Sequence, residues 1–103
     1  VTLGNLKRGL LLQNYPNPFN ADTWIPFRLF SQSPVTIRIY DLHGSLINAI
    51  VLGDLLAGDY SSKQRAAYWN GRNFYGEQIS SGSYFYSLEL LGETHTQKMI
   101  VLE

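Results

Sequence analysis

The segment Gly82-Ser83-Tyr84-Phe85-Tyr86-Ser87-Leu88-Glu89-Leu90 decides the fold class of this sequence, because it carries the clearest β-strand pattern in the chain. Its apolar side chains recur at every second position, which places on one face Tyr84, Tyr86, Leu88 and Leu90. The opposite face receives Phe85, Ser87 and Glu89. A period of two is typical of a strand that buries one face and exposes the other. The segment therefore predicts an antiparallel sheet with aromatic rings in its buried face.

Short segments with the same alternation recur along the rest of the chain, and Gly, Pro, Asn and Asp separate them. No window repeats apolar residues at helical spacing for three turns. Strands are predicted over residues 10–13, 23–29, 35–40, 45–52, 60–69, 83–90 and 94–102. The pattern predicts an all-β domain, an immunoglobulin-like β-sandwich of about seven antiparallel strands. We expect residues 10–103 to form this domain and residues 1–9 to form a linker or frayed N-terminus.

The prolines of the N-terminal half predict where strands are interrupted. Pro26 has no N–H to donate, so the predicted strand 23–29 should lie at a sheet edge or contain a bulge. Two further prolines make the segment 14–20 a rigid connector that cannot sit inside a sheet. We expect its aromatic residues, Tyr15 and Phe19, to point inward and plug the sandwich.

Other positions are candidates for the core. In the predicted strand 45–52 they are Leu46, Ala49 or Ile50, and Leu52. The following loop, residues 53–59, is expected to pack Leu55-Leu56-Ala57 over one end of the sandwich. Trp69 is expected between the sheets, since a sandwich of this size needs one or two large rings there.

Composition excludes several classes of function. Eight basic and eight acidic residues cancel without forming a basic stripe, so capture of nucleic acid or of an anionic membrane is not expected. The chain has no Cys, which excludes disulfides and Cys-bound metals. No apolar run approaches the roughly 20 residues of a membrane-spanning helix, so membrane insertion is not expected.

The titratable residues form no catalytic or metal-binding motif. His43 and His95 lack the spacing of metal ligands and are expected at the surface. Asp41 precedes a glycine turn, where a carboxylate caps the backbone. Asp54 and Asp59 lack the density of a calcium loop, although the sequence leaves calcium binding open. We therefore expect a domain that is no enzyme and needs no cofactor.

Five motifs occur in order and carry a family resemblance. They are Tyr15-Pro16-Asn17-Pro18-Phe19-Asn20, then Ile39-Tyr40-Asp41 with Gly44, Trp69-Asn70-Gly71-Arg72-Asn73 with Gly76, Ser81-Gly82-Ser83-Tyr84-Phe85-Tyr86, and Lys98-Met99-Ile100-Val101-Leu102. The set resembles the C-terminal sorting domain of proteins exported by the bacterial type IX secretion system. It is also similar to the related Ig-like domain named after the flagellar hook-capping protein FlgD. The resemblance covers about residues 11–102.

The resemblance implies an export and cell-surface attachment signal at the C-terminus of a larger secreted protein. The secretion machinery would read it after the protein reaches the periplasm, and the cargo would cross the outer membrane. The family ties export to a Gly-X-Tyr strand, here Gly82 and Tyr84, and to the last strand, here Lys98, Met99, Ile100, Val101 and Leu102. The terminal strand is also expected to be an edge strand that a partner can extend by β-augmentation.

Two other functions stay open on the sequence alone. The first is a structural or protein-binding Ig-like module that contacts another extracellular protein or the upstream domains of its own parent chain. The second is a carbohydrate-binding module. Both would use an exposed aromatic patch, for which the candidates are Trp24, Phe74 and Tyr75.

Overall fold

The computed structural model describes residues 7–102, so residues 1–6 of the predicted linker lie outside the described residues. The strands are β1 (Gly9–Leu11), β2 (Thr23–Ile25), β3 (Phe27–Leu29), β4 (Ser33–Tyr40), β5 (Leu46–Leu55), β6 (Gly58–Tyr60), β7 (Ala67–Trp69), β8 (Gly82–Leu90) and β9 (Glu93–Val101). The search for membrane spans found, within these residues, no helix of sufficient length and apolar character. The first strand begins at Gly9, one residue before the predicted start of the domain.

Three antiparallel sheets form a sandwich. One layer is a four-stranded sheet in the order β5-β4-β8-β9. The opposite side is built from a three-stranded sheet, β1-β3-β6, and a two-stranded sheet, β2-β7. The side chains between them are almost fully buried and include Ile25, Phe27, Ile37, Ile39, Trp69, Tyr86, Leu88 and Met99. The predicted all-β, Ig-like sandwich is confirmed, with nine strands in place of seven.

The count differs because two predicted strands are each divided. The segment 23–29 changes sheets at Pro26: Ile25 pairs with Ala67 of β7, whereas Phe27 pairs with Tyr60 of β6. Pro26 cannot donate to a ladder, but its carbonyl still accepts from the Leu12 N–H at 3.0 Å. The segment 60–69 is divided in the same way by a turn between β6 and β7.

Two bulges explain why the predicted core of β5 is wrong in part. The pairing of β4 with β5 is irregular between Val35 and Thr36 and between Ile39 and Tyr40, and β5 supplies an unpaired residue at each place. Each extra residue reverses the alternation of faces. As a result Leu46 is 42% exposed, while the residues packed against the core are Ile47, Ile50, Leu52 and Leu55. Leu56, predicted to cover one end, is 68% exposed.

Tyr86 fixes the N-terminal connector to the main sheet. Its ring is fully buried, and its hydroxyl donates to the Leu12 carbonyl and accepts from the Asn14 N–H, both at 2.8 Å. Burial raises the pKa of Tyr86 to about 12, against the smaller lowering effect of the Asn14 hydrogen bond. The Asn14 side chain is also buried, and its amide donates to the hydroxyl of Thr23 at 3.1 Å.

The aromatic residues of the connector behave differently from one another. Phe19 is buried and packs edge-on against Trp69 with 5.7 Å between ring centroids, so the predictions for both residues are confirmed. Tyr15 is only half-buried and stacks on Trp24 on the outer face of β2. Its predicted inward orientation is wrong. In β2 the buried side chains are Thr23 and Ile25, and Tyr15 packs instead on Trp24, which points to the outside.

Glu93 holds the beginning of the first strand. Its carboxylate accepts hydrogen bonds from the backbone N–H groups of Arg8 at 2.8 Å and Gly9 at 3.3 Å. The imidazole of His95 also contacts it at 2.5 Å. Burial raises the pKa of Glu93, but the combined hydrogen bonds from Arg8, His95 and Gly9 outweigh it, so the pKa lies below its usual 4.5.

We predict that Glu93 makes the domain sensitive to acid. A carboxyl group with a lowered pKa in the folded state contributes stability above its unfolded value of 4.5, and this contribution is lost as the pH falls through the folded value. The Tm of the wild type should therefore exceed that of Glu93→Gln near neutral pH, and the difference should shrink as the pH falls below 4.5. Thermal unfolding followed by circular dichroism from ~pH 7 to ~pH 3 measures this. A constant difference in Tm across that range would contradict it.

Candidate functional site

The two segments predicted to serve export meet at one end of the sandwich. Strands β8 and β9 are antiparallel, so Gly82 at the start of one pairs with Val101 at the end of the other, and Tyr84 pairs with Met99. The turn after β4 reaches the same end, because Tyr40 pairs with Phe85. We call this the distal end, and its parts are residues 17–19, 41–44, 70–84 and 98–102.

The terminal strand presents only part of its side chains at this surface. Met99 and Val101 face the core and are 0% and 4% exposed. Lys98, Ile100 and Leu102 are exposed. Three of the five predicted residues of this strand can therefore contact a partner while the domain stays folded.

The backbone edge of the terminal strand is already occupied. The carbonyl of Ile100 accepts from the Phe19 N–H at 3.0 Å, and the N–H of Leu102 donates to the Phe19 carbonyl at 2.9 Å. The side-chain carbonyl of Asn17 accepts from the Ile100 N–H at 2.9 Å, and the amide of Gln13 donates to the Lys98 carbonyl at 3.0 Å. The expectation that a partner extends this edge by β-augmentation is therefore wrong for residues 98–102 of the folded domain.

An open groove lies beside the predicted Gly-X-Tyr motif. It has a volume of about 190 Å³ and is lined by Asp41, Leu42, His43, Ser81, Gly82, Ser83 and Tyr84. Gly82 has a φ of 150°, and a Cβ added to it would meet nothing within 4 Å. The glycine thus forms an open floor, and Leu42, 61% exposed, rises at the rim.

Asp41 holds the turn that forms one wall of this groove. Its carboxylate accepts from the backbone N–H groups of His43 and Ser45, both at 2.9 Å. Gly44 completes the turn with a φ of 82°, where glycine is favoured. The predicted capping role of Asp41 is confirmed, and its oxygens are used to shape the backbone.

The predicted aromatic patch is divided by the structure. Phe74 and Tyr75 lie in a distal turn and are 57% and 87% exposed, and the Phe74 N–H donates to the Ile47 carbonyl at 3.1 Å. Trp24 instead lies on the outer face of β2, half-buried, with the ring of Tyr68 5.4 Å away. The ammonium of Lys63 stands 4.5 Å from the Trp24 ring centroid.

Residues 7–102 contain no group of three or more His, Cys, Asp or Glu side chains that could hold a metal ion. Asp54 accepts a hydrogen bond from Gln32. Asp59 accepts from the Ser61 N–H and lies 3.6 Å from Arg28. The side-chain hydrogen bond of Ser61 first, and then the charge of Arg28, lower the pKa of Asp59. These local contacts account for both carboxylates that the sequence left open as calcium ligands.

Sequence reasoning missed two residues of the distal end. Asn17 bonds to the terminal strand through its side chain, and its place before Pro18 was the only signal in the sequence. Leu42 lies at a turn tip and is 61% exposed, and no pattern in the sequence distinguishes it from other single exposed apolar residues.

A comparison with family models decides the identity of this fold. The model described as "Secretion system C-terminal sorting domain" matches residues 13–102, which is nearly the whole chain. The chain belongs to this family. The sorting domain is an export signal for cargo of the type IX secretion system, which is carried across the outer membrane to the cell surface or secreted.

Two solved structures share the fold of the sorting domain. Dimeric latent PorU from Porphyromonas gingivalis aligns with a TM-score of 0.64 and 22% identity, over 95% of this chain and 10% of PorU. PorZ from Porphyromonas gingivalis, described as an essential bacterial surface component of the type IX secretion system, aligns with a TM-score of 0.61 and 18% identity, over 88% of this chain and 11% of PorZ. The sorting domain thus spans about a tenth of each neighbour. No curated protein sequence matches it.

Proposed function

We propose that the sorting domain is a non-catalytic address whose distal end is contacted by the secretion machinery. One observation supports this most: the Gly-X-Tyr segment and the Asp41 turn, far apart in sequence, line one open groove, and the terminal strand pairs with the Gly-X-Tyr segment beside it. The groove and the exposed side chains of Lys98, Ile100 and Leu102 lie at the same end of the sandwich, where a receptor would contact them. Since the backbone edge is already bonded, a receptor would read shape and side chains.

Lys98 gives this surface a charge. Within residues 7–102 it takes part in none of the three ion pairs, which involve Arg28, Arg38 and His95. Across the sheet it pairs with Phe85, which in turn pairs with Tyr40, so an ammonium group ends a row of aromatic side chains. An acidic receptor segment with apolar flanks would complement this row.

A protein-binding role outside export has support from Phe74 and Tyr75. Two large, mostly exposed rings at a turn tip are typical of protein contacts. They lie at the same distal end, so they would enlarge the receptor surface or contact another extracellular protein. A carbohydrate platform has less support, because Trp24 is half-buried and Lys63 stands over its ring.

We predict that distal substitutions block export without unfolding the domain. In a host with a type IX system, a cargo carrying the double variant Lys98→Ala/Ile100→Ser should accumulate in the periplasm, and extracellular cargo should fall at least about tenfold, as expected when residues central to an interface are truncated. The matched control is Lys63→Ala/Val51→Ser, which replaces a lysine and a β-branched apolar residue, both exposed, away from the distal end. Immunoblots of periplasmic and extracellular fractions measure the distribution.

The double variant tests the distal surface more specifically than a deletion of residues 98–102 would. The deletion would also remove Met99 and Val101 from the core, so lost export could reflect lost folding. Equal export of wild type, double variant and control, with unchanged thermal unfolding, would contradict the proposal.

A further inference from the structure

The end of the sandwich opposite the distal end receives the incoming chain. The Arg8 N–H is held by Glu93, and the Arg8 carbonyl accepts from the Phe30 N–H at 2.6 Å. We call this the linker end, and its parts are Arg8, residues 30–33, 55–57 and 91–93. Strand pairing gathers them there: Gly9 with Leu29, Leu29 with Gly58, Ser33 with Leu55, and Leu90 with Glu93.

The linker end exposes three large apolar side chains. Phe30, Leu56 and Leu91 are 54%, 68% and 58% exposed. Hydrogen bonds fix the backbone beneath two of them: the Leu91 N–H donates to the Ser33 hydroxyl at 3.1 Å, and the Leu56 carbonyl accepts from the Tyr60 hydroxyl at 2.7 Å. Single exposed apolar residues are ordinary, but three on the fixed loops of one end form a surface suited to a protein contact.

We propose that the linker end is the docking surface for the domain that precedes the sorting domain in its parent chain. The proposal rests on the assignment of this domain as a sorting signal attached to cargo. The route of the chain supports this occupant, because the Arg8 backbone, near the beginning of the described residues, is bonded to Phe30 and Glu93 at this end.

Covalent attachment favours this occupant over a free partner. Each linker residue adds at most about 3.5 Å, so a preceding domain stays near this end at an effective concentration in the millimolar range. The first strand is paired with β3 from Gly9 onward, which fixes the position of the described chain at this end. Docking here would leave the distal end free, since the two ends lie at opposite ends of the paired strands β4, β5, β8 and β9.

The test uses the full parent chain and its triple variant Phe30→Ser/Leu56→Ser/Leu91→Ser. The control is the triple variant Leu42→Ser/Phe74→Ser/Tyr75→Ser, which removes three exposed apolar side chains from the distal end. Limited proteolysis measures cleavage of the linker before Arg8, and small-angle scattering measures the separation of the domains. If the domains dock, the linker-end variant should be cleaved at least about tenfold faster and scatter as a longer particle, while the control matches the wild type.

Two results would overturn the proposal. One is equal cleavage and equal scattering of wild type and both variants. The other is a wild-type dimer in sedimentation velocity that the linker-end variant dissociates, because the occupant would then be a second copy of the chain. Export of the same chains is a separate readout: the distal variant should reduce it and the linker-end variant should not, so failure of docking and failure of the export assignment give different patterns.

Discussion

Replacing Gly71 by alanine is expected to destabilise the domain by about 2 to 5 kcal/mol, through left-handed backbone strain and overpacking. A Cβ at this position would lie 2.2 Å from the Ala21 carbonyl oxygen, and that oxygen belongs to the backbone and cannot rotate away. Gly71 also has a φ of 74°, which side chains disfavour. The Ile79 N–H donates to the Gly71 carbonyl, so a shift here would move the distal loop as well. Chemical denaturation of both proteins measures the loss.

Gly76→Ala is the matched control for this result. Gly76 has nearly the same φ, 78°, but an added Cβ would meet nothing within 4 Å. Its substitution should therefore cost only the backbone strain, about 1 kcal/mol. Equal losses for Gly71→Ala and Gly76→Ala would show that the close approach to Ala21 contributes nothing.

Replacing Tyr86 by phenylalanine is expected to cost about 2 to 4 kcal/mol, although it removes one oxygen atom. The loss leaves two backbone groups of the connector, the Leu12 carbonyl and the buried Asn14 N–H, without the partner they have in the wild type. Each unsatisfied buried group costs about 1 to 3 kcal/mol. Tyr68→Phe is the control, since that ring is 49% exposed and its hydroxyl bonds to Asp22 at the surface. Water can replace that contact, so the control should lose less than about 0.5 kcal/mol.

The same phenol should make the wild type sensitive to alkali. Burial raises the pKa of Tyr86 from 10.0 to about 12, so its contribution to stability is complete below the unfolded value and is lost as the pH rises through the folded value. The difference in unfolding free energy between wild type and Tyr86→Phe should therefore shrink between about pH 10 and pH 12. A difference that stays constant over this interval would contradict the role assigned to the hydroxyl.

Much of the fold could be predicted because its strands carry strong local signals. The alternation in 82–90 and 35–40 identified two central strands, and Pro26 correctly indicated an irregularity in its segment. The bulges in β5 could not be predicted, because they depend on how β4 and β5 align and a single extra residue reverses which face is buried. This is why Leu46 was assigned to the core in error.

The sequence could predict most residues of the candidate site, but it could not predict which of them lie next to one another on the surface. Motifs indicated Gly82, Tyr84 and the terminal strand, but only the register of β8 with β9 shows that they are adjacent. Nothing local could show that Phe19 pairs with Val101, because the two residues are separated by most of the sequence. The aromatic candidates are separated for the same reason, since Trp24 lies on the outer face of β2 whereas Phe74 lies in a turn bonded to Ile47 of β5.

The bonds from Asn17 and Phe19 to the final strand bear on when this signal can exist during protein synthesis. The distal end combines residues from the beginning and the end of the domain. A polypeptide that stops before Met99 lacks the buried side chains of Met99 and Val101. It also lacks the backbone groups of Ile100 and Leu102 to which the proline-rich connector is bonded. The domain can therefore assemble only once its last strand is present. A chain that ends before Met99 therefore cannot form the folded distal end.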